Sequence, residues 1–447
     1  MQGVPAGTKC SSGQTCDTTG GSVVLEQDCD GNGACKNGPL QSCNGFACVA
    51  GACNTVCSDS TACVASGFCS AHTCVGTPNL AGNGDVETGT TVGWVPANGG
   101  KAPAVSSTAM SGYAHGGTYS IVETSRQQFY VGPAYNLPTG LGQYTLTLWA
   151  MQADDGAFQA VPQVELKCRD TTISSGASYI QLLSDFAFSL PALTWTKITA
   201  TVNTLTDSGT LPDCFATNPP GGGLPGLVKS AILYLNQPDP SSGTAPTPVK
   251  FPNLYMDDVV VQVPAGQNLV GNPNFEAAVP AAGGGTMSAG ATDGWTATPT
   301  APAPTVTTMY AHGGTASLVQ SGRTSAAAGV VYQLPLGAAR YQISFWVMQT
   351  GMTAHALVLQ PSYTCMVNGV SMAAANAAPI VLSGTGKADA GNWVNLTGTV
   401  VLPPLDAPAG CVMAQASVTL QQAETGVCGS TVECPDLYLD DASISLQ

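Results

Sequence analysis

The sequence predicts an all-β protein, with two tandem β-sandwich domains following a small, disulfide-rich, loop-dominated N-terminal module. Three observations carry that expectation: an internal repeat, period-two alternation in matched segments, and cysteines crowded at one end. Tyr113-Ala114-His115-Gly116-Gly117-Thr118 recurs as Tyr310-Ala311-His312-Gly313-Gly314-Thr315, an offset of 197 residues. The same offset, without a gap, carries Arg126 to Arg323, Tyr135 to Tyr332, Tyr144 to Tyr341, Trp149 to Trp346, Cys168 to Cys365 and Cys214 to Cys411. Repeated units of this size are whole domains, and finding them precedes any finer reading.

In chain order, residues 1–77 form the Cys-rich module. Eleven of the 17 cysteines lie between Cys10 and Cys74. Their spacings never show the x2 of paired zinc knuckles, and His72 is the segment's one histidine, so the pattern reads as disulfides formed in an oxidising, extracellular compartment. The intervening residues are mostly Gly, Ser, Thr, Asp and Asn, leaving cross-links to hold the module together. Eleven is odd, so one thiol is left free or bonded elsewhere, and connectivity is not readable from spacing. Asp28-x-Asp30-x-Asn32-Gly33 has calcium-loop spacing, but Pro39 occupies the position of the closing carboxylate, which favours a solvated turn.

Residues 78–264 form the first repeat and 267–447 the second. Tyr144-Thr145-Leu146-Thr147-Leu148-Trp149 and Tyr341-Gln342-Ile343-Ser344-Phe345-Trp346 alternate with period two, and Gly, Pro, Asn and Ser clusters punctuate such runs, as two packed antiparallel sheets require. The Ala-rich stretch Met372 to Ala378 is too short for a helix and reads as a loop. Cys168 with Cys214 and Cys365 with Cys411 are spaced alike and read as one bridge per sandwich, each worth about 4 kcal/mol in the chain-entropy model. Cys428 with Cys434 makes a short bridge in the second repeat alone.

Composition excludes several functions. The chain has 447 residues, a net charge of −15 and only 9% charged residues, which disfavours nucleic acid and anionic membranes. No apolar run approaches the length of a membrane span. The opening Met1-Gln2-Gly3-Val4-Pro5 lacks a signal-peptide layout, so an extracellular or cell-surface address implies an export signal absent from this chain. No Gly-x-Ser-x-Gly or His-Glu-x-x-His occurs and the chain holds only seven Glu, so a non-catalytic protein is expected. His115 and His312 read as structural, and Asn395-Leu396-Thr397 is a glycosylation sequon.

Asn268-Leu-Val-Gly-Asn-Pro-Asn-Phe-Glu276, Gly294-Trp295, Ala311-His-Gly-Gly, Ser321-Gly-Arg-Thr324 and Tyr438-Leu-Asp-Asp441 resemble the jelly-roll carbohydrate-binding modules of families 4/9 and 22. The first copy carries a weaker version in Asn79-Leu-Ala-Gly-Asn-Gly-Asp-Val-Glu87, Gly93-Trp94, Ala114-His-Gly-Gly and Tyr255-Met-Asp-Asp258. The resemblance implies jelly rolls and polysaccharide binding, of plant cell-wall type such as xylan or β-glucan. By that resemblance the binding aromatics map to Tyr130, near Arg126, to Tyr179 with Gln181, and to Tyr234 with Asn236. The second copy has Ala327, Asn376 and Thr419 to Gln421 in their places. Strand alternation puts Tyr179 with Gln181, and Tyr234 with Asn236, on common faces. The six Trp fall as matched pairs and read as core. The alternative is an extracellular structural or adhesive filament protein, self-associating or binding surface proteins, with no glycan ligand.

Alternation also places Asp257 on the face of Val259 and Val261, and Asp440 on that of Ala442 and Ile444, pointing inward. A carboxylate there needs a partner, and Lys and Arg are scarce. The resemblance implies one structural Ca2+ per sandwich, held by Glu87 with Asp257 and by Glu276 with Asp440; the other solution is hydrogen bonds from loop amides.

Overall fold

The computed structural model describes residues 8, 14–17, 21–25, 28–29, 31–32, 35–36, 40–58, 60–64, 67–76, 78–97, 100–110, 112–128, 131–140, 142–153, 158–168, 178–182, 188–203, 228–236, 251–271, 273–275, 294–351, 355–384, 391–429 and 432–447. At 28, 35–36, 158–159, 165–168, 178–182, 228–230, 236 and 383–384 it describes backbone alone. Among these residues regular structure is all β, apart from single 3-10 turns at Ser60–Ala62 and Thr108–Met110. Two compact units result: Met1–Pro78 with Ala338–Arg340 and Val401–Cys411, and Asn79–Gly337 with Tyr341–Val400 and Val412–Gln447.

The N-terminal segment is built from two- and three-residue strands joined by Cys16–Cys48, Cys43–Cys53, Cys57–Cys69 and Cys63–Cys74. Among the described residues, a buried cluster is made of Cys57, Cys63, Cys69 and Cys74, with Phe46 and Ala62 packed against it. Sulfur thus replaces the aliphatic core that the composition denies this segment.

The first repeat folds as two antiparallel sheets. One runs in the order Trp94–Pro96, Pro133–Leu137, Val228–Asn236, Phe158–Cys168, Ser178–Leu182, with Phe188–Leu190 also on Phe158–Cys168. The other runs Ala104–Ser107, Tyr119–Glu123, Leu254–Gln262, Gln143–Gln152, Thr196–Asn203. Along Gln143–Gln152 the burial alternates as the sequence does, with Tyr144, Leu146, Leu148 and Ala150 buried. The second repeat builds the same two sheets from the matching strands, around Val412–Gln422 with Leu357–Val367 and Leu437–Leu446 with Ala339–Gln349. The Ala-rich segment read as a loop contributes one short strand, Ala375–Asn376, on Leu357–Val367.

The opening Asn of each copy explains why that residue recurs. Asn79 Nδ2 donates to Val259 O and its Oδ1 accepts from Val261 N, so the side-chain amide pairs with the last strand as a backbone unit would. Asn268 does the same with Ala442 and Ile444. Cys428 and Cys434 are bridged, and Cys365 and Cys411 are both disulfide-bonded. Cys214 lies outside the described residues, and Cys168 is described by backbone alone.

The tryptophans correct the sequence reading. Trp94 and Trp295 are core residues, with Trp94 edge-on to Tyr135 at 5.3 Å. Trp149, Trp195, Trp346 and Trp393 are only half-buried and lie beneath a surface loop.

Candidate functional site

The loop over those tryptophans is the repeated Ala-His-Gly-Gly segment, and the paired aspartates hold it. Alternation fails at this point. Trp149 pairs with Asp257 but Thr147 pairs with Val260, because a β-bulge adds one residue to the last strand. Asp258 takes the left-handed conformation at φ 49°, and Asp441 repeats it at 44°. A bulge shifts the pleat by one residue. Asp257 therefore stands beside Trp149 under the loop, while Val259 and Val261 face the core, and the inward-pointing expectation for Asp257 and Asp440 is corrected.

Asp257 is fully buried. Its Oδ2 accepts from His115 N at 2.8 Å and Gly116 N at 3.4 Å, and its Oδ1 from Asp258 N at 2.8 Å. Glu87 takes the next amides, Thr118 N at 2.9 Å and Tyr119 N at 3.0 Å. A Cβ at Gly117 would lie 2.3 Å from the Glu87 carboxyl carbon, so the second glycine makes room for that carboxylate. His115 Nδ1 sits 2.6 Å from Asp258 Oδ2, and its ring stacks on Trp149 at 3.7 Å. The second copy repeats the clasp: Asp440 accepts from His312 N and Gly313 N, and His312 stacks on Trp346 at 3.7 Å. Both histidines are thus structural, as read from the sequence.

Burial pushes the Asp257 carboxyl up to about 7, against the pull of the loop amides, and raises Asp440 for the same reason. A desolvated carboxylate whose charged neighbour is another carboxylate suits a hard cation, and its oxygens keep lone pairs beyond those the amides use. Among the described residues no acidic trio lies within 4.8 Å, so carbonyls and water would have to complete such a site. Glu276 lies outside the described residues.

Two of the positions assigned to sugar binding, Tyr234 and Arg126, are buried. Tyr234 is fully buried, and its hydroxyl donates to Gln163 Oε1 at 2.7 Å; Ala97, Ala134 and Ile232 pack with it. Arg126 is also buried, its guanidinium donating to the carbonyls of Val131 and Pro252. Tyr234 and Arg126 are therefore packing residues, which corrects the expectation of an exposed ring and a ligand-facing cation. Register divides the rest. Gln181 pairs with Val164 and Tyr179 with Leu166, whereas Tyr234 pairs with Gln163 and Asn236 with Val161. Directly opposed residues share a face, so positions 179 and 181 belong to one pleat and 234 and 236 to the other. Tyr130 lies outside the described residues.

Sequence reasoning missed Glu123, whose only signal is the mismatch with its counterpart Gln320. Gln320 Nε2 donates to the carbonyls of Pro302 and Gly329. Glu123 is 1% exposed and neither carboxylate oxygen makes a hydrogen bond of normal geometry. Burial raises its carboxyl above the ordinary range, opposed by Arg126 and by Lys101. Its folded-state pKa exceeds the unfolded one, so the stability it contributes is complete below the unfolded value and is lost as pH rises through the folded value. Glu123→Gln should therefore melt higher than the parent at pH 8, with the gap closing towards pH 4. Parallel melting temperatures across that range would show that burial does not hold this carboxyl neutral.

The model of the family described as "Carbohydrate binding domain" matches residues 78–211. A curated relative, Endo-1,4-beta-xylanase A of Thermoanaerobacterium saccharolyticum, is 26% identical over 283 residues, which is 60% of this chain and 20% of the xylanase. The chain thus corresponds to about a fifth of that relative's length. Among solved structures, the CBM22-1–CBM22-2 tandem domain of Paenibacillus barcinonensis Xyn10C aligns over 81% of this chain and 96% of that one, at 17% identity and a TM-score of 0.31. The CBM22-2 xylan-binding domain of the same protein aligns over 40% and 98%, at 21% and 0.30. The resemblance read from the first copy's motifs is borne out over residues 78–211, which match a carbohydrate-binding domain.

Proposed function

We propose that this protein binds a polysaccharide without cleaving it, through its first sandwich, and that the ligand is a plant cell-wall polymer, xylan or a β-glucan. The family match over residues 78–211 carries the reading. That segment includes Tyr130, Tyr179 and Gln181 and stops short of the buried Tyr234. The relative's name supports a xylan-type ligand. Aromatic rings stack on pyranose faces while amides bond the hydroxyls, and Tyr130 and Tyr179 are among the aromatics that the second copy lacks. The four bridges among the described residues of the N-terminal segment suit an extracellular or cell-surface location. Calcium belongs to the same proposal, held by Glu87 and Asp257 in the first sandwich and by Asp440 and Glu276 in the second, where it would neutralise the buried carboxylates that clasp the loop.

Electrophoresis of the full chain through native gels cast with xylan, β-glucan or no polymer tests the proposal. Retardation by one polymer is expected, with its loss in the Tyr130→Ala, Tyr179→Ala double variant at an unchanged melting temperature. Parent protein that no polysaccharide retards would overturn glycan binding and leave the adhesive alternative.

A further inference from the structure

One end of the second sandwich carries a polar cluster built around a histidine. His355 is 8% exposed and precedes the strand Leu357–Val367; at the constant offset the first copy has Phe158. The imidazole lies between two carboxylates, with Nδ1 3.3 Å from Glu424 Oε1 and Nε2 3.8 Å from Glu433 Oε2. Nε2 has no hydrogen-bond partner. Gln422, at the end of the strand Val412–Gln422, is 1% exposed; its Nε2 donates to Glu433 O at 3.0 Å, and its Oε1 has no partner. A Cβ at Gly351 would sit 2.5 Å from Glu433 Oε1, so the glycine keeps the space for that carboxylate. The Cys428–Cys434 bridge closes the short loop that carries Glu433.

These distances select among the ways of satisfying the buried ring. With its Nδ1 proton directed at Glu424, the neutral imidazole presents a lone pair at Nε2, and among the described residues the charged atom that faces it is Glu433 Oε2, an oxygen that also offers lone pairs. Two acceptors facing each other repel unless something positive lies between. A single proton bridges heavy atoms about 2.7–2.9 Å apart in a charge-assisted bond, and 3.8 Å is well beyond that. Two metal–ligand bonds of about 2.1 Å each span the gap at an angle somewhat wider than tetrahedral. A small rotation of the Glu433 side chain, 42% exposed, brings that angle in.

We propose that His355 Nε2, Glu433 and Gln422 Oε1 form a site for a zinc-class divalent cation, with Glu424 as the outer carboxylate that fixes the histidine tautomer. A nitrogen and two oxygen ligands suit a borderline cation and do not suit calcium, which takes oxygen alone. The carboxylate that accepts from the remaining ring nitrogen is the usual orienting partner of a metal-bound histidine. Water would complete the coordination on the side open to solvent. The cation would pin the disulfide-closed loop to the sheet, in a copy from which the candidate sugar-binding aromatics are missing.

Isothermal titration of the full chain with zinc chloride, in excess calcium and at pH 7.5, tests the proposal. One zinc per chain is expected. His355→Gln should abolish that binding, and Glu424→Gln should weaken it 10- to 100-fold, the usual effect of losing an orienting partner. Glu433→Gln, a change at a half-exposed side chain that the fold tolerates, provides a second test should the histidine variant fail to fold, and it too should lose the zinc. Absence of stoichiometric zinc in the parent would overturn the site, as would undiminished binding in either the His355 or the Glu433 variant.

Discussion

Tyr234→Ala should destabilise the first sandwich by about 3–5 kcal/mol, the range for truncating a buried aromatic. The ring is fully enclosed, packs with Ala97, Ala134 and Ile232, and donates its hydroxyl to Gln163 Oε1. Removing it opens a cavity on a strand at the middle of the sheet and leaves a buried amide oxygen without its donor. Tyr234→Phe isolates the second effect and should cost about 1–2 kcal/mol. Denaturant unfolding of the full chain measures both, and gel retardation of the still-folded Phe variant should match the parent. Were Tyr234→Ala to unfold like the parent and lose glycan retention, the ring would have to be a stacking surface after all, and its burial incidental.

The tyrosine illustrates where reading the sequence reaches its limit. The constant offset between copies, the two-residue alternation in Gln143–Gln152 and the matched Asn79 and Asn268 all report backbone pairing, which is local and periodic. Fold class and repeat structure were legible for that reason. Alternation along the last strand, by contrast, breaks between Asp257 and Val260, where the pairing is irregular. The bulge that turns Asp257 under the loop shows only as two adjacent acids, and two acids do not announce a left-handed φ. Retention in both copies suggests a core residue, yet Trp149 and Trp346 are kept where each receives a histidine from the clasping loop. Divergence between copies points to recognition, yet of the positions it singles out Tyr234 is packed away, and Arg126, which the second copy keeps as Arg323, holds carbonyls. The same comparison, extended to buried polar positions, would have found Glu123 against Gln320 and His355 against Phe158. Those mismatches concern charge in the interior, where the energetic stakes of one substitution exceed those at an exposed ring.

Asp257→Ala is expected to cost a further about 3–5 kcal/mol, the scale for removing one partner from a buried charged network. Three amides, of His115, Gly116 and Asp258, lose their acceptor together, and the His115 ring loses the anchored loop that holds it on Trp149. This penalty does not depend on a metal. Calcium adds a separate contribution: a ligand held at a hundred times its dissociation constant stabilises the folded state by about 2.7 kcal/mol. At about 2–4 °C per kcal/mol for a domain of this size, stripping it with a chelator should lower the melting temperature of the parent by several degrees. Asp257→Asn keeps the side-chain volume and an oxygen acceptor but no charge. It should fall between parent and Ala variant in stability, and the part of the chelator response that comes from the first sandwich should disappear. The two contributions separate in one experiment. A parent melt unmoved by chelation, beside an Asp257→Ala variant that remains several kcal/mol weaker, would mean that amides alone satisfy the carboxylate and that no cation braces the loop.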